Sequence, residues 1–294
     1  MFPPRVILAA VDFSEPSRVA LTFAARLAKQ CHALLHVLHV EDPLLAGAAR
    51  SAGIDLTAET RVELGAFMQK AFPAGDWTPS HHVVTGAPVE GICHIVERES
   101  SDLVVLGAKG MSGLESAIFG STTEGVLRKA DASVLVVPES WTPPRPDLND
   151  LTGMGPVVVG MEATPAAIGA ARIAAELASL LGTTVDIRHV VPATPVLARW
   201  SAHADAAQAK RVADAKAEIS SALHLAGFTP TKVEVEVGSV AERLAAAVAT
   251  RGDRRPLLVL GRRTSSERGG APGSTAYRVL SLGGAPVLMW LPEH

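Results

Sequence analysis

The sequence predicts two tandem α/β domains, each doubly wound around a five-stranded parallel sheet. Three observations carry this. Short, apolar, β-branched runs alternate with helical patterns over about 135 residues, as buried parallel strands and their crossover helices do. Aromatic residues are scarce at 4% while Ala and Val abound, which suits helices packed closely on a Val-rich sheet better than a β-sandwich. The whole pattern then begins again, 150 residues on.

In order along the first half, Val6 to Val11 reads as a buried strand that ends at Asp12. Ser14-Glu15-Pro16-Ser17 marks a helix start, with Pro in the first turn. That helix runs through Val19, Leu21, Ala24, Ala25, Leu27 and Ala28. Leu34 to Val40 is a second strand, closed by Glu41-Asp42-Pro43, and a long helix spans Thr57 to Ala71. His82-Val83-Val84 is a third strand, and Gly86-Ala87-Pro88 turns into a helix carrying Ile92, Ile95 and Val96. Leu103 to Leu106 is a fourth strand, followed by a loop, a helix and a fifth strand, Val134 to Val137.

Residues 139–155 hold three prolines among polar residues and glycine, the composition of a connecting segment. The domains are therefore drawn as 1–140 and 156–294, joined by a linker at 141–155. Beyond it, Pro156 to Glu162 lines up with the run that ends in Asp12. Ala25, Leu27 and Ala28 find partners in Ala175, Leu177 and Ala178, and His39-Val40 in His189-Val190. Gly86 pairs with Gly238, Leu103–Gly107 with Leu257–Gly261, and Gly120-Ser121 with Gly273-Ser274. One α/β domain has been duplicated; the period is far too long for a solenoid.

Composition excludes several functions. Hydrophobic residues make up 48% and charged residues 19%, enough for packed cores and unlike a disordered chain. The net charge is −3, with 12 basic against 18 acidic residues in 1–150 and 15 against 12 in 151–294, which is no nucleic-acid signature. Cys31 and Cys93 give neither a disulfide framework nor paired metal spacing. The amino-terminal apolar run has no basic flank and no cleavage site, and no stretch reaches the apolar length of a membrane helix. A soluble, cytoplasmic protein is expected, without nucleic-acid or membrane partners. No G-x4-G-K-[ST] loop occurs, and no G-x-G-x-x-G follows the first strand. His36 and His39 point to opposite faces of a strand, His81-His82 shows no further ligand spacing, and Cys93-His94 diverge on a helix. No metal site and no catalytic residue is expected.

The stretch from Leu103 to Pro138 carries the chemistry. Gly107 ends the fourth strand, Gly110 follows after two residues, and Gly120-Ser121 come nine residues later where a helix begins. Glycines at a strand end let backbone amides approach a ligand. A helix start offers unpaired N–H groups and a positive dipole end, so a phosphate cradle is one reading. The other is plain helix capping, since Ser121 and Glu124 have capping-box spacing.

These pieces resemble the universal stress protein (UspA-like) family, in its tandem form with two Rossmann-like domains in one chain. The first half matches that family's nucleotide pattern, G-x2-G-x9-G-(S/T), at Gly107, Gly110, Gly120 and Ser121. The resemblance implies that ATP is bound, with Mg2+ as an optional companion. It implies that Asp12 meets the ribose and that the backbone of Ala10 and Val40 meets the adenine. Gly107, Lys109 and Gly110 would line the phosphates, and Gly120, Ser121 and Thr122 would offer amides and hydroxyls. Each role has a plainer alternative: Asp12 as a helix-entry cap, Lys109 as a solvated loop lysine. In the second half Thr264 replaces the second glycine, eight residues rather than nine precede Gly273-Ser274, and Glu162 replaces Asp12. Arg254, Arg255, Arg262, Arg263 and Arg268 make a basic stretch there, read as solvated, with an anionic ligand as the alternative. This half is expected to be degenerate or to act as a pseudo-symmetric partner, within the chain or in a homodimer.

The resulting expectation is a stress-response protein whose first domain binds ATP and regulates by nucleotide-dependent shape or partner choice. Hydrolysis would be slow at most, because no base stands ready to activate water. The competing expectation is a scaffold whose glycines serve folding alone. A third, an enzyme on adenylylated substrates, lacks its Ser-Gly-Gly-rich loop, since Asp12-Phe13-Ser14 stands there.

Overall fold

The computed structural model describes residues 3–72, 79–108, 120–146, 149–162, 164–193, 201–228, 230, 232–249, 255–262, 278–280, 282 and 284–292. The described residues form two compact units, one up to Thr152 and one from Gly153 onward.

The first unit runs β1 (Val6–Ala10), α1 (Glu15–Cys31), β2 (Leu34–Glu41), α2 (Pro43–Ser51), α3 (Leu56–Ala71) and β3 (Ser80–Thr85), then α4 (Pro88–Arg98), β4 (Leu103–Gly107), α5 (Ser121–Lys129) and β5 (Ser133–Val137). Its strands lie in the order β3-β2-β1-β4-β5, with every pairing parallel. Chain order reverses between β1 and β4, which makes that seam the topological switch point. Strands β1 and β4 are the most enclosed, with Ile7, Leu8, Val104 and Val105 wholly buried. Their continuous apolar runs follow from having helices on both faces.

The second unit repeats the plan as β6 (Val157–Gly160), α6 (Pro165–Leu181), β7 (Val185–Val191), α7 (Ser201–Leu225), β8 (Lys232–Val237), α8 (Val240–Val248), β9 (Leu257–Gly261) and β10 (Val287–Trp290). Its order is β8-β7-β6-β9-β10, again parallel throughout. Among the described residues, no helix is long and apolar enough to cross a membrane.

Helix starts follow local chemistry. Ser14 caps α1 by accepting from the Ser17 amide, Asp55 caps α3 through Ala58, and Thr164 caps α6 through Ala167. Helix α2 is absent from the sequence reading, which took Glu41-Asp42-Pro43 only as a strand end. Its signal was there: Asp42 accepts from the Leu44 amide, with Pro43 in the first turn.

Two features recur in both units. Helices α1 and α6 each end on a left-handed residue, His32 at φ 55° and Gly182 at φ 63°, and the following amides return to the same carbonyls, those of Ala28 and Ala178. Gly107 and Gly261 lie against the backbone of the first turn of α1 and of α6, respectively. A Cβ on Gly107 would stand 2.9 Å from the Pro16 carbonyl, and one on Gly261 would stand 2.7 Å from that of Ala166. Neither helix backbone can yield by so much. Helix packing therefore demands a glycine at Gly107 whether or not a ligand approaches it, and Gly261 meets the same demand in the second unit, where Thr264 replaces the next glycine of the motif.

The proline-rich connection is largely exposed but pinned to the first unit at a few points. Trp141 is buried edge-on against Phe23 of α1, with ring centroids 4.8 Å apart. Arg26, also buried, donates to the carbonyls of Arg145 and Asp150.

Replacing exposed His32 by Gly should stabilise the protein by about 0.5–1 kcal/mol, read as a higher urea midpoint, because the left-handed conformation then carries no Cβ strain. Gly182→Ala should lower it. Gly107→Ala should destabilise by about 1–3 kcal/mol through the clash with α1, seen as a lower melting temperature without any ligand present.

Candidate functional site

The carboxyl ends of β2, β1 and β4 lie side by side, since β1 pairs with both of the others. Ala10 and Val40 sit at the ends of β1 and β2, and Gly107 ends β4, so these three sequence-predicted residues share one edge of the sheet. Gly120 and the start of α5 are tied to that edge twice. The Gly120 amide donates to the Ala108 carbonyl at 3.2 Å, and the buried Thr123 hydroxyl donates to the Gly107 carbonyl at 3.0 Å. Lys109 and Gly110 lie outside the described residues.

At α5 the capping-box reading is corrected. Gly120, not Ser121, is the N-cap, and no side chain caps the helix. Ser121 is the first helical residue and is exposed, while Glu124 turns to Arg128 one turn on. A Ser at the first helical position has passed the geometry from which its hydroxyl can cap. The Gly120 amide is spoken for. Those of Ser121 and Thr122 have no protein acceptor among the described residues, as the first N–H groups of a helix have none within it.

Asp12 follows β1 and is held by its own loop. Its carboxylate accepts from the amide and the hydroxyl of Ser14, and its amide donates to the Ser17 hydroxyl. The helix-entry role weighed for Asp12 is thus part of the geometry, and a ribose would have to share this carboxylate with Ser14. Between them Phe13 takes φ 63°, rare for a bulky residue. Its ring is clamped by His39 at 4.4 Å and Phe67 at 5.5 Å between centroids. Packing thereby over-determines a strained turn at the lip of the site. His39 contributes once more: its Nδ1 lies 2.9 Å from the Val11 carbonyl, which can only accept, so Nδ1 carries the proton. His189 makes the same bond to Met161 in the second unit. The repeated histidine is a brace between neighbouring strand ends.

Glu41 went unnoticed in the sequence, where it read only as the close of the second strand. It is the last residue of β2 and is 3% exposed. One carboxylate oxygen accepts from the hydroxyls of Thr57 and Thr85, at 3.0 and 3.2 Å. The other, Oε1, is buried with no hydrogen-bond partner. A glutamate following a Val-rich strand gives no sequence cue, because its burial depends on α3 and β3 closing over it. Cys31 is inert, since burial pushes its thiol up to about 12.

The second unit is shaped differently at the matching edge. Gly160 stands in the place of Ala10, and the space beside it holds side chains of Leu260 and Leu244. Glu162 is exposed. Arg262, read as solvated, is 5% exposed and its amide donates to the Trp290 carbonyl at 2.7 Å. It leaves the end of β9 still hydrogen-bonded to the neighbouring strand, so its backbone stays within the packed layer. Arg255 is described; Arg254, Arg263, Arg268 and the Gly273-Ser274 pair lie outside the described residues.

The chain matches the model of the Universal stress protein family twice, over residues 4–138 and 154–290. A universal stress protein of Methanocaldococcus jannaschii is 31% identical over 137 residues, covering 45% of this chain and 80% of that protein. The universal stress protein A homolog 1 of Coxiella burnetii is 32% identical over 138 residues, covering 45% of this chain and 94% of that protein. Across the whole chain, a universal stress protein structure from Archaeoglobus fulgidus aligns at a TM-score of 0.64, covering 99% of each chain at 19% identity, a likeness of fold alone. Two consecutive matches that between them span nearly every residue, on two copies of one doubly wound fold, assign this chain to the universal stress protein family in its tandem form.

Proposed function

We propose that the first unit binds an adenine nucleotide, ATP, across the carboxyl ends of β2, β1 and β4, and acts in the stress response as a nucleotide-dependent regulator. The observation that carries the reading is the pair of amides, Ser121 and Thr122, without an acceptor among the described residues, at the start of a helix anchored beside the switch point. The phosphates belong there, with Gly107, Lys109, Gly110 and Gly120 in the sequence that precedes the helix. Ala10 and Val40 offer backbone to the base, and Asp12 offers its carboxylate to the ribose alongside Ser14. The reading is one of binding rather than turnover.

A second reading has its own support. Gly107 answers to helix packing and Asp12 to helix entry, so these motif residues also suit a scaffold that binds no nucleotide. Ser121→Glu separates the two. A carboxylate at the first turn complements the helix dipole, so the ligand-free protein should gain about 0.3–1 kcal/mol. If phosphates sit on those amides, the added charge repels them, and ATP affinity in a calorimeter should fall at least about tenfold. Wild-type protein that releases no heat with ATP, or a variant that binds as tightly, would reject the nucleotide reading.

A further inference from the structure

A separate cluster lies at the other end of the same sheet. The register pairs His36 with Ser80 and Leu38 with His82. In strands of period two, His36 and His82 therefore share a face as diagonal neighbours. Helix α4 covers that face: Gly91, in its first turn, lies against Val40 and Val84 near the strands' carboxyl ends. The helix then runs back along the sheet, and its C-cap, Glu99, arrives beside the two histidines. The cluster thus stands about 13 Å along the strands from the ends that carry the nucleotide reading, four residues at about 3.3 Å each.

Three donor groups converge there. His36 Nδ1 and His82 Nε2 are 2.9 Å apart, with the rings stacked at an interplanar angle of 12°. Glu99 Oε2 is 4.0 Å from His36 Nδ1, and Oε1 is 3.9 Å from His82 Nε2. All three ligand atoms lie within 4.8 Å of one another. A tetrahedral zinc ion with bonds of about 2.0–2.1 Å sets its donors about 3.3 Å apart. The imidazoles would part by a few tenths of an ångström and the carboxylate would close by about half an ångström. Both are side-chain adjustments. The three side chains are partly exposed, at 12%, 18% and 24%, so an ion can reach them from solvent.

The fold does not require these residue types. At the matching positions of the second unit stand Asp186 and Glu234, with Arg188 pairing to Glu234 and Glu236. We propose that His36, His82 and Glu99 form a site for a divalent cation of the zinc class, held by two imidazoles and one carboxylate with a fourth position open to solvent. Two nitrogens and one oxygen are the donor set that such borderline ions favour over calcium or magnesium.

Arg98 is the gatekeeper of this site. Its guanidinium donates to His82 Nδ1 at 2.9 Å and to Glu99 Oε1 at 2.8 Å. An accepting Nδ1 obliges His82 to carry its proton on Nε2, where it donates to His36 Nδ1. To ligate through Nε2, His82 must move that proton to Nδ1, and Arg98 must then swing away. Arg98 is exposed and free to do so without disturbing the core.

The test uses the untagged full-length chain, stripped with a chelator and titrated with Zn2+ in a calorimeter, with Co2+ absorption as a coordination signature. One Zn2+ per chain is expected. His36→Gln and His82→Gln should each weaken binding at least ~10-fold while melting like the wild type without metal, and Arg98→Ala should tighten it about 10-fold. If a histidine variant fails to fold, Glu99→Gln at the helix end takes its place, with the same loss expected. Binding that is equal in wild type and His82→Gln, or a Co2+ spectrum that His36→Gln leaves unchanged, would overturn the proposal. So would an Arg98→Ala variant that binds more weakly, as a purely structural hydrogen-bond network predicts.

Discussion

The close seat of α1 on the end of β4 is the constraint from which the first unit's ligand edge is built. Gly107 has no side chain because the Pro16 carbonyl occupies that space. With the helix held there, Ser14 caps it, Asp12 is drawn onto Ser14, and Phe13 is forced into a left-handed turn against His39 and Phe67. From the other side, Thr123 ties α5 to the Gly107 carbonyl. One missing Cβ thus sets both the helix that enters the site and the helix whose first amides face it. Gly261 repeats the contact in the second unit against Ala166.

That shared device explains how the two halves can keep one fold and differ at the edge. Packing glycines, the strand-end histidines and the left-handed helix ends are common to both, and each fixes how a helix or strand end seats on the sheet. The residues around the strand ends are not. Leucines lie beside Gly160, and Arg262 is buried where the first unit has Ala108. The His36–His82–Glu99 cluster differs again, with an Arg–Glu arrangement in the matching place. Duplication preserved the scaffold and left the surfaces at either end of the strands to diverge.

Much of this was legible in the sequence, and the misses share a cause. Apolar runs, caps and the repeat located β1, β2, β4, β5, α1 and α3 within a residue or so, since local periodicity and turn chemistry decide those elements. Helix α2 was overlooked because a short Leu-Ala run after Pro43 lacks a long apolar stripe; only its Asp42 cap marks it. At α5, spacing alone suggested a capping box, but a shift of one residue in the helix start moved Ser121 past the capping position. His82 showed no ligand spacing because its partners lie 46 and 17 residues away in the chain, and parallel register with a returning helix is what joins them.

From composition, periodicity and internal repetition alone, one could read two copies of a parallel α/β fold, the motif after β4 and the family, because all of these are written in local order along the chain. What had to wait for folding was every fact that depends on two distant segments meeting. Gly107 proved to be a packing residue because α1 lands on it, Glu41 is buried because α3 and β3 enclose it, and a histidine on β3 meets one on β2 because those strands pair in one register. Sequence spacing measures distance along the backbone, and such contacts are set by distance through space.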